Sequence, residues 1–205
     1  MAKILSGPVK AGINRAFDPL ARALLRARVS PDTVTVVGTV GVAVAALVWA
    51  TRGQWIIAAV VITLCGFADL IDGAMARQLN RPGRFGAFLD STMDRVADAF
   101  VFGSVTYYFA VQQRHWTVVA ALVCLVSGQL VSYVRARAEG LGLSAKVGIA
   151  ERAERLILIG LGGLATGFGW RYGMDVALWV LAVLSVVTIG QRIVHVHRED
   201  RAATT

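Results

Sequence analysis

Apolar residues occupy this chain in long blocks separated by short polar gaps. Six blocks, at about 34–51, 54–73, 86–110, 116–136, 155–170 and 174–194, read as helices that cross a lipid bilayer. Roughly 20 apolar residues cover the ~30 Å of hydrocarbon, and only the fifth block is short and Gly-rich. A different pattern precedes them. Val9, Ile13, Phe17, Leu20 and Leu24 recur at three- or four-residue steps, with Lys10, Arg15, Arg22 and Arg26 interleaved. That periodicity predicts an amphipathic helix lying on the membrane surface. Asp18-Pro19 is expected to interrupt it, because Asp caps a new helix and Pro suits its first position. Ser30-Pro31 repeats the start signal at the entry to the first span. The pattern therefore predicts an all-α integral membrane protein: six transmembrane helices preceded by an N-terminal amphipathic interfacial helix. Residues 1–29 form the juxtamembrane helix, 30–198 one membrane domain and 199–205 a cytoplasmic tail.

Charge fixes the expected orientation. Seventeen of the 21 Lys and Arg residues fall before the first span, in alternate connections or after the last span; three, Arg52, Arg114 and Arg171, fall on the other side, and Arg95 lies within a span. By the positive-inside rule both termini face the cytoplasm of a multi-pass plasma-membrane protein, as an even number of spans requires. The chain of 205 residues is 56% hydrophobic and only 17% charged, too apolar for an ordinary soluble domain. Its net charge of +8 accordingly points to anionic headgroups or phosphorylated substrates and not to nucleic acid. Trp55, Tyr107, Tyr108, Trp116, Trp170 and Trp179 lie near span ends, as interfacial anchors do. Cys65 and Cys124 sit in apolar runs without a CxxC pair and read as small buried hydrophobes.

Against this background the stretch FADLIDGAMARQLNRPGRFGAFLDSTMDR, from Phe67 to Arg95, carries four aspartates. Asp69 and Asp72 are three apart near the cytoplasmic end of the second span and share a helical face; Asp90 and Asp94, four apart at the start of the third, share another. Arg81-Pro82-Gly83 supplies the turn between them. Adjacent antiparallel helices then bring both pairs to similar depth. Four converging carboxylates repel one another unless a counter-charge intervenes, and hard divalent cations with oxygen ligands meet that need. Asp98 continues the second face one turn deeper, in a supporting position. Gly73, Ala76 and Gly86 leave room for a ligand, and Arg77 offers a planar fork suited to phosphate. A structural network with Arg77, Arg84 and Arg95 is the plainer alternative for the four acids.

The spacing Asp69-x2-Asp72-Gly73-x2-Ala76-Arg77-x8-Gly86-x3-Asp90-x3-Asp94 resembles the signature of the CDP-alcohol phosphotransferases, with every fixed position present. That resemblance implies a six-helix membrane enzyme that moves a phosphatidyl group from CDP-diacylglycerol to an acceptor hydroxyl and releases CMP. It further implies two divalent ions per active site, Mg2+ or alternatively Mn2+, held by Asp69, Asp72, Asp90 and Asp94. Asp94 would also serve as the catalytic base. Gly73 and Arg77 match donor-contacting positions, and Asp32, Thr33, Val34 and Thr35 match residues that line the donor site. Gly83 stands in the donor region where relatives often carry Ser or Thr, so no side-chain contact is expected there. Family members are commonly homodimers embedded in membrane lipid, and the resemblance extends that expectation to this chain.

The connection VSYVRARAEGLGLSAKVGIAERAERL concentrates five cations, which suits a phosphorylated acceptor as well as ordinary headgroup contact. SYVRARAE, IAERAERL and GQRIVHVHR are similar to stretches of the family's actinobacterial branch that makes phosphatidylinositol phosphate from myo-inositol phosphate. By that resemblance Ser132, Arg135, Arg155 and Arg192 bind the acceptor phosphate. Glycerol 3-phosphate, the acceptor of phosphatidylglycerol phosphate synthases, is the alternative within the family. Outside it stand an ion-coupled transporter and a prenyl-diphosphate enzyme. The absence of an inverted repeat argues against the first, and the Gly73-x2-Ala76-Arg77 continuation against the second.

Overall fold

A computed structural model describes residues 8–79 and 83–204. Arg81 and Pro82, part of the expected turn, lie outside them, as do the side chains of Val9, Lys10, Ile13 and Arg15 on the expected amphipathic face. Among the described residues all regular structure is helical. In chain order the helices are α1 (Pro8–Arg26), α2 (Pro31–Val48), α3 (Trp55–Gly66), α4 (Ala68–Gln78), α5 (Arg84–Val111), α6 (His115–Gly140), α7 (Arg152–Gly167) and α8 (Gly173–Thr204). Contacts divide the chain into two compact units, one up to Ser104 and one from Val105 onward, with α5 running from the first into the second.

Among the described residues, four helical segments are long and apolar enough to cross a membrane: Pro31–Arg52, Trp55–Gln78, His115–Gly140 and Gly173–Ala202. Two of the six expected spans fall short for different reasons. α5 has ample length at 28 residues, but Asp90, Asp94, Arg95 and Asp98 interrupt its apolar character. α7 has 16 residues, about 24 Å of helix, less than the ~30 Å hydrocarbon layer. Large apolar side chains nevertheless remain on the surface of every candidate span, among them Val37, Leu64, Trp116 and Val183. Water would disfavour such a surface and lipid would not.

In the first unit α1 packs against α4. Ala21, Ala74 and Met75 form a fully buried contact, with Leu24, Leu25, Val34 and Ile71 around it. Phe17 adds a ring contact to Phe67 at 5.8 Å. The expected interruption at Asp18-Pro19 does not occur, since α1 runs through Pro19 without a break. Proline costs one backbone donor but keeps a helical φ, and the packing of Phe17, Ala21 and Leu24 on either side of it holds the helix together. Leu20 belongs to the expected apolar face yet is 46% exposed, so the packed face is centred on Ala21. The start of α2 matches its signal: Ser30 Oγ accepts the Thr33 N–H at 3.1 Å, and Pro31 opens the helix. Trp55 differs from expectation. It is buried at the start of α3, where an interfacial anchor would be exposed.

α2 crosses the α3–α4 junction at close range. A Cβ on Gly38 would lie 2.4 Å from the Ala68 Cβ and 3.2 Å from the Cys65 carbonyl oxygen, and one on Gly41 would lie 2.6 Å from Cys65 Sγ. Only glycine lets the backbones meet there.

In the second unit α8 packs against both α6 and α7, burying Cys124, Leu178, Leu181 and Ile159. Cys124 donates to the Leu178 carbonyl at 3.2 Å. Nearer the starts of both helices Asp175 accepts from Thr117 Oγ1 at 2.5 Å and pairs with Arg114 at 2.7 Å, which fixes the start of α8 to that of α6. α8 continues beyond residue 198, through the segment expected to be a tail, as far as Thr204.

Candidate active site

The break between α3 and α4 determines where the first two aspartates sit. At Phe67 the backbone N–H is shared between the Thr63 and Leu64 carbonyls at 3.2 and 3.3 Å, a tightening that ends α3 directly after Gly66. Asp69 and Asp72 therefore belong to a short helix of their own and not to one continuous span. α4 exposes one edge of that helix and buries the other against α1 and α2, leaving Asp69 half-buried and Asp72 only 8% exposed. Asp90 enters from the exposed second turn of α5.

Carboxylate oxygens of Asp69, Asp72 and Asp90 all lie within 4.8 Å of one another. Three negative charges at this spacing, one of them buried, are unfavourable without a cation or protons between them. An all-oxygen donor set of this kind fits Mg2+ or Mn2+ and is a poor match for softer metals. Asp94, the fourth expected member, is not part of that group. It lies one turn further along α5, its side chain 18% exposed, with Arg95 Nη1 3.7 Å from its carboxylate. Asp98, another turn on, is buried.

Residues expected at the donor site separate by what they touch. Thr35 Oγ1 donates to Asp72 Oδ2 at 2.5 Å and also reaches the Pro31 carbonyl at 3.2 Å, so it orients a carboxylate of the acidic group. A side chain at Gly86 would meet Asp32 Oδ1 at 3.4 Å, which brings the first turns of α2 and α5 together. Thr33 is engaged with Ser30, hydroxyl to hydroxyl at 2.8 Å, in the cap of α2. Val34, partly buried, packs beside Ala21, Ala74 and Met75. A Cβ on Gly73 would lie 3.5 Å from Arg77 Nη1, so the missing side chain leaves the exposed guanidinium beside bare backbone. Gly83 precedes α5, and its carbonyl accepts the Ala87 N–H at 3.1 Å.

The second unit holds the residues expected to bind acceptor phosphate. Arg155 and Arg192 are 1% and 2% exposed, which the sequence pattern did not foretell. Both grip carbonyls one turn apart on α6: Arg155 Nη1 donates to Gly128 O at 3.0 Å and Arg192 Nη1 to Val131 O at 2.5 Å. A Cβ on Gly128 would be 3.2 Å from the Arg155 guanidinium. Ser132 follows immediately on α6, its hydroxyl donating to the Gly128 carbonyl at 3.3 Å. Arg135, one turn on, pairs with Glu139 at 3.0 Å. Arg192 lies within electrostatic reach of Arg135, Arg155, Glu139 and Glu151. Arg192 is thus repelled by Arg135 and Arg155 and attracted by Glu151 and Glu139, and a bound anion would add to the attraction.

The acidic group of the first unit is suited to a divalent cation and the buried arginines of the second to an anion, features that fit a membrane enzyme acting on phosphorylated molecules. The chain belongs to the CDP-alcohol phosphatidyltransferase family, whose model it matches over residues 28–194. It is 45% identical to the phosphatidylinositol phosphate synthase of Streptomyces avermitilis, across 98% of this chain and 85% of that one. The corresponding enzyme of Mycobacterium marinum is 43% identical, across 90% and 80%. The fold is similar to the crystal structure of Mycobacterium tuberculosis phosphatidylinositol phosphate synthase with CDP-DAG bound, with a TM-score of 0.86, 40% identity and coverage of 89% of this chain and 94% of that one. The same enzyme in complex with manganese and citrate gives a TM-score of 0.84, 40% identity and coverage of 88% of each chain. The family assignment removes the transporter and the prenyl-diphosphate enzyme from consideration.

Proposed function

We propose that this protein is a phospholipid-synthesising enzyme that transfers the phosphatidyl group of CDP-diacylglycerol to a hydroxyl of myo-inositol phosphate, giving phosphatidylinositol phosphate and CMP. The observation that carries this reading is the Asp69, Asp72 and Asp90 group, in a chain at least 40% identical to phosphatidylinositol phosphate synthases along most of its length. Asp69, Asp72 and Asp90, joined by Asp94, would hold two Mg2+ ions, or Mn2+ in their place. Bound there, divalent cations offset the charge of a diphosphate and of the departing CMP.

The chain's own residues supply the rest. Thr35 fixes the Asp72 carboxylate, and Arg77, lying along Gly73, presents its fork to the donor diphosphate. Asp32 and Gly86 shape the donor end of the site. Thr33 and Val34 contribute by building the first turn of α2. Asp94 takes the proton of the acceptor hydroxyl. The acceptor oxygen then bonds to the phosphatidyl phosphorus as the bond from that phosphorus to the bridging oxygen breaks, and CMP leaves. Ser132, Arg135, Arg155 and Arg192 hold the acceptor phosphate, an anion suited to their planar guanidinium forks. Positioning and electrostatics dominate catalysis of this kind.

Six spans, cytoplasmic termini, a cytoplasm-facing site in the plasma membrane and a homodimer complete the proposal. The distribution of Lys and Arg supports the orientation, with α5 and α7 as the two additional crossings. The substrate assignment is tested by supplying purified protein with CDP-diacylglycerol, Mg2+ and one acceptor at a time. CMP release is expected with inositol phosphate and not with free inositol or serine. Turnover with glycerol 3-phosphate in preference to inositol phosphate would overturn the choice of acceptor.

A further inference from the structure

The connection between α6 and α7, residues 141–151, is tied along α8 at three levels. The Ser144 N–H donates to Glu199 Oε2 at 2.8 Å. Arg192 Nε donates to the Val147 carbonyl at 2.8 Å. The N–H groups of Ile149 and Ala150 both donate to Thr188 Oγ1, at 3.2 and 3.0 Å. At about 100° per residue Arg192 and Glu199 lie within roughly 40° of Thr188, so one face of α8 carries all three ties over about 16 Å.

Thr188 is the tightest of them. It is fully buried, and its hydroxyl proton goes to the Leu184 carbonyl at 2.8 Å, which leaves the oxygen's lone pairs for the two loop N–H groups. Gly148 has φ +136°, and a Cβ there would lie 2.5 Å from Thr188 Cγ2, so the loop reaches this depth only because residue 148 is glycine. The segment held in this way leads into Glu151, the residue just before α7, and then to Arg155 in the helix's first turn. The same loop presents the carbonyl that fixes Arg192.

We infer that Thr188 is a positioning residue for the acceptor-phosphate pocket. By holding the loop against α8 it sets both the start of α7, which carries Arg155, and the Val147 carbonyl, which aims Arg192. This inference rests on reading those two arginines as ligands of the acceptor phosphate. Replacing the hydroxyl by a methyl group strands two loop donors, one of them on the buried Ala150, while keeping the volume of the side chain.

The test uses full-length protein in detergent, with CDP-diacylglycerol saturating and inositol phosphate varied, and then the reverse. Thr188→Val is expected to raise the acceptor KM about tenfold, the scale of one lost hydrogen bond to a buried group, with donor KM and kcat within about threefold of wild type. Hydrogen exchange across residues 141–151 should accelerate in the same variant, and Thr188→Ser should restore both readouts. Gly148→Ala forces the loop off Thr188 from the other side and should give the same split, which keeps the inference testable where Thr188→Val does not fold. Faster exchange with an unchanged acceptor KM, or an equal loss with both substrates, would overturn it. Arg155→Ala run in parallel separates the two layers. A raised acceptor KM there with none in Thr188→Val refutes the positioning role alone, whereas no change there refutes the acceptor assignment beneath it.

Discussion

Thr35 shows how far individual residues can be read from a sequence. The four aspartates stand out because carboxylates are rare among apolar neighbours, and three of them do meet. That Thr35 turns to Asp72 was invisible, because the hydroxyl and its acceptor are 37 residues apart on different helices. Val34 and Thr33 illustrate the reverse. Their neighbourhood in sequence suggests the donor site, while the contacts seen are a partly buried packing of Val34 against Ala21, Ala74 and Met75 and a cap between Thr33 and Ser30. Second-layer partners of metal ligands commonly change metal affinity or activity 10–100-fold. Thr35→Val should therefore raise the Mg2+ concentration needed for half-maximal activity by roughly 10-fold or more, with Thr35→Ser close to wild type. Titrating activity with Mg2+ in the three proteins checks this, and an unchanged Mg2+ requirement in Thr35→Val would remove Thr35 from the site.

At the level of elements, four of the apolar blocks coincide with helical segments long and apolar enough to cross a membrane among the described residues, because length and composition survive in the fold. Breaks were less legible. Pro19 signalled an end that packing overrode, and the end of α3 at Gly66 carried no signal beyond a single glycine. The seam between α2 and the α3–α4 junction depends on contacts remote in sequence, yet it sets the register of Thr35 against Asp72. Gly38→Ala would drive a Cβ to 2.4 Å from that of Ala68, one residue before Asp69. Overpacking of this sort typically costs about 1–3 kcal/mol, and here it should also reduce activity severely by moving α4 away from α2. Gly41→Ala meets the movable Cys65 thiol instead and should be milder. Thermal unfolding in detergent, alongside activity, ranks the two. Equal effects would show that the seam does not position the site.

For the whole molecule, the segregation of Lys and Arg between alternate connections predicts an orientation that does not depend on what the side chains pack against. The burial of Arg155 and Arg192 was least legible, since composition cannot distinguish an arginine facing headgroups from one facing helix carbonyls. With Cys65 and Cys124 replaced, single cysteines at Gln113 and Lys146 report the topology. A membrane-impermeant thiol reagent applied outside intact cells should label Gln113→Cys and spare Lys146→Cys. Labelling in the opposite sense would contradict the six-span arrangement with cytoplasmic termini. The central claim is that Asp69, Asp72 and Asp90 form the cation site of a phosphatidyl transferase, and CMP release measured against divalent cation concentration tests it most directly. Release from CDP-diacylglycerol and inositol phosphate should be absent in chelator, recover saturably with Mg2+ or Mn2+, and fail to recover in Asp72→Asn. Cation-independent release, or full recovery in Asp72→Asn, would contradict it.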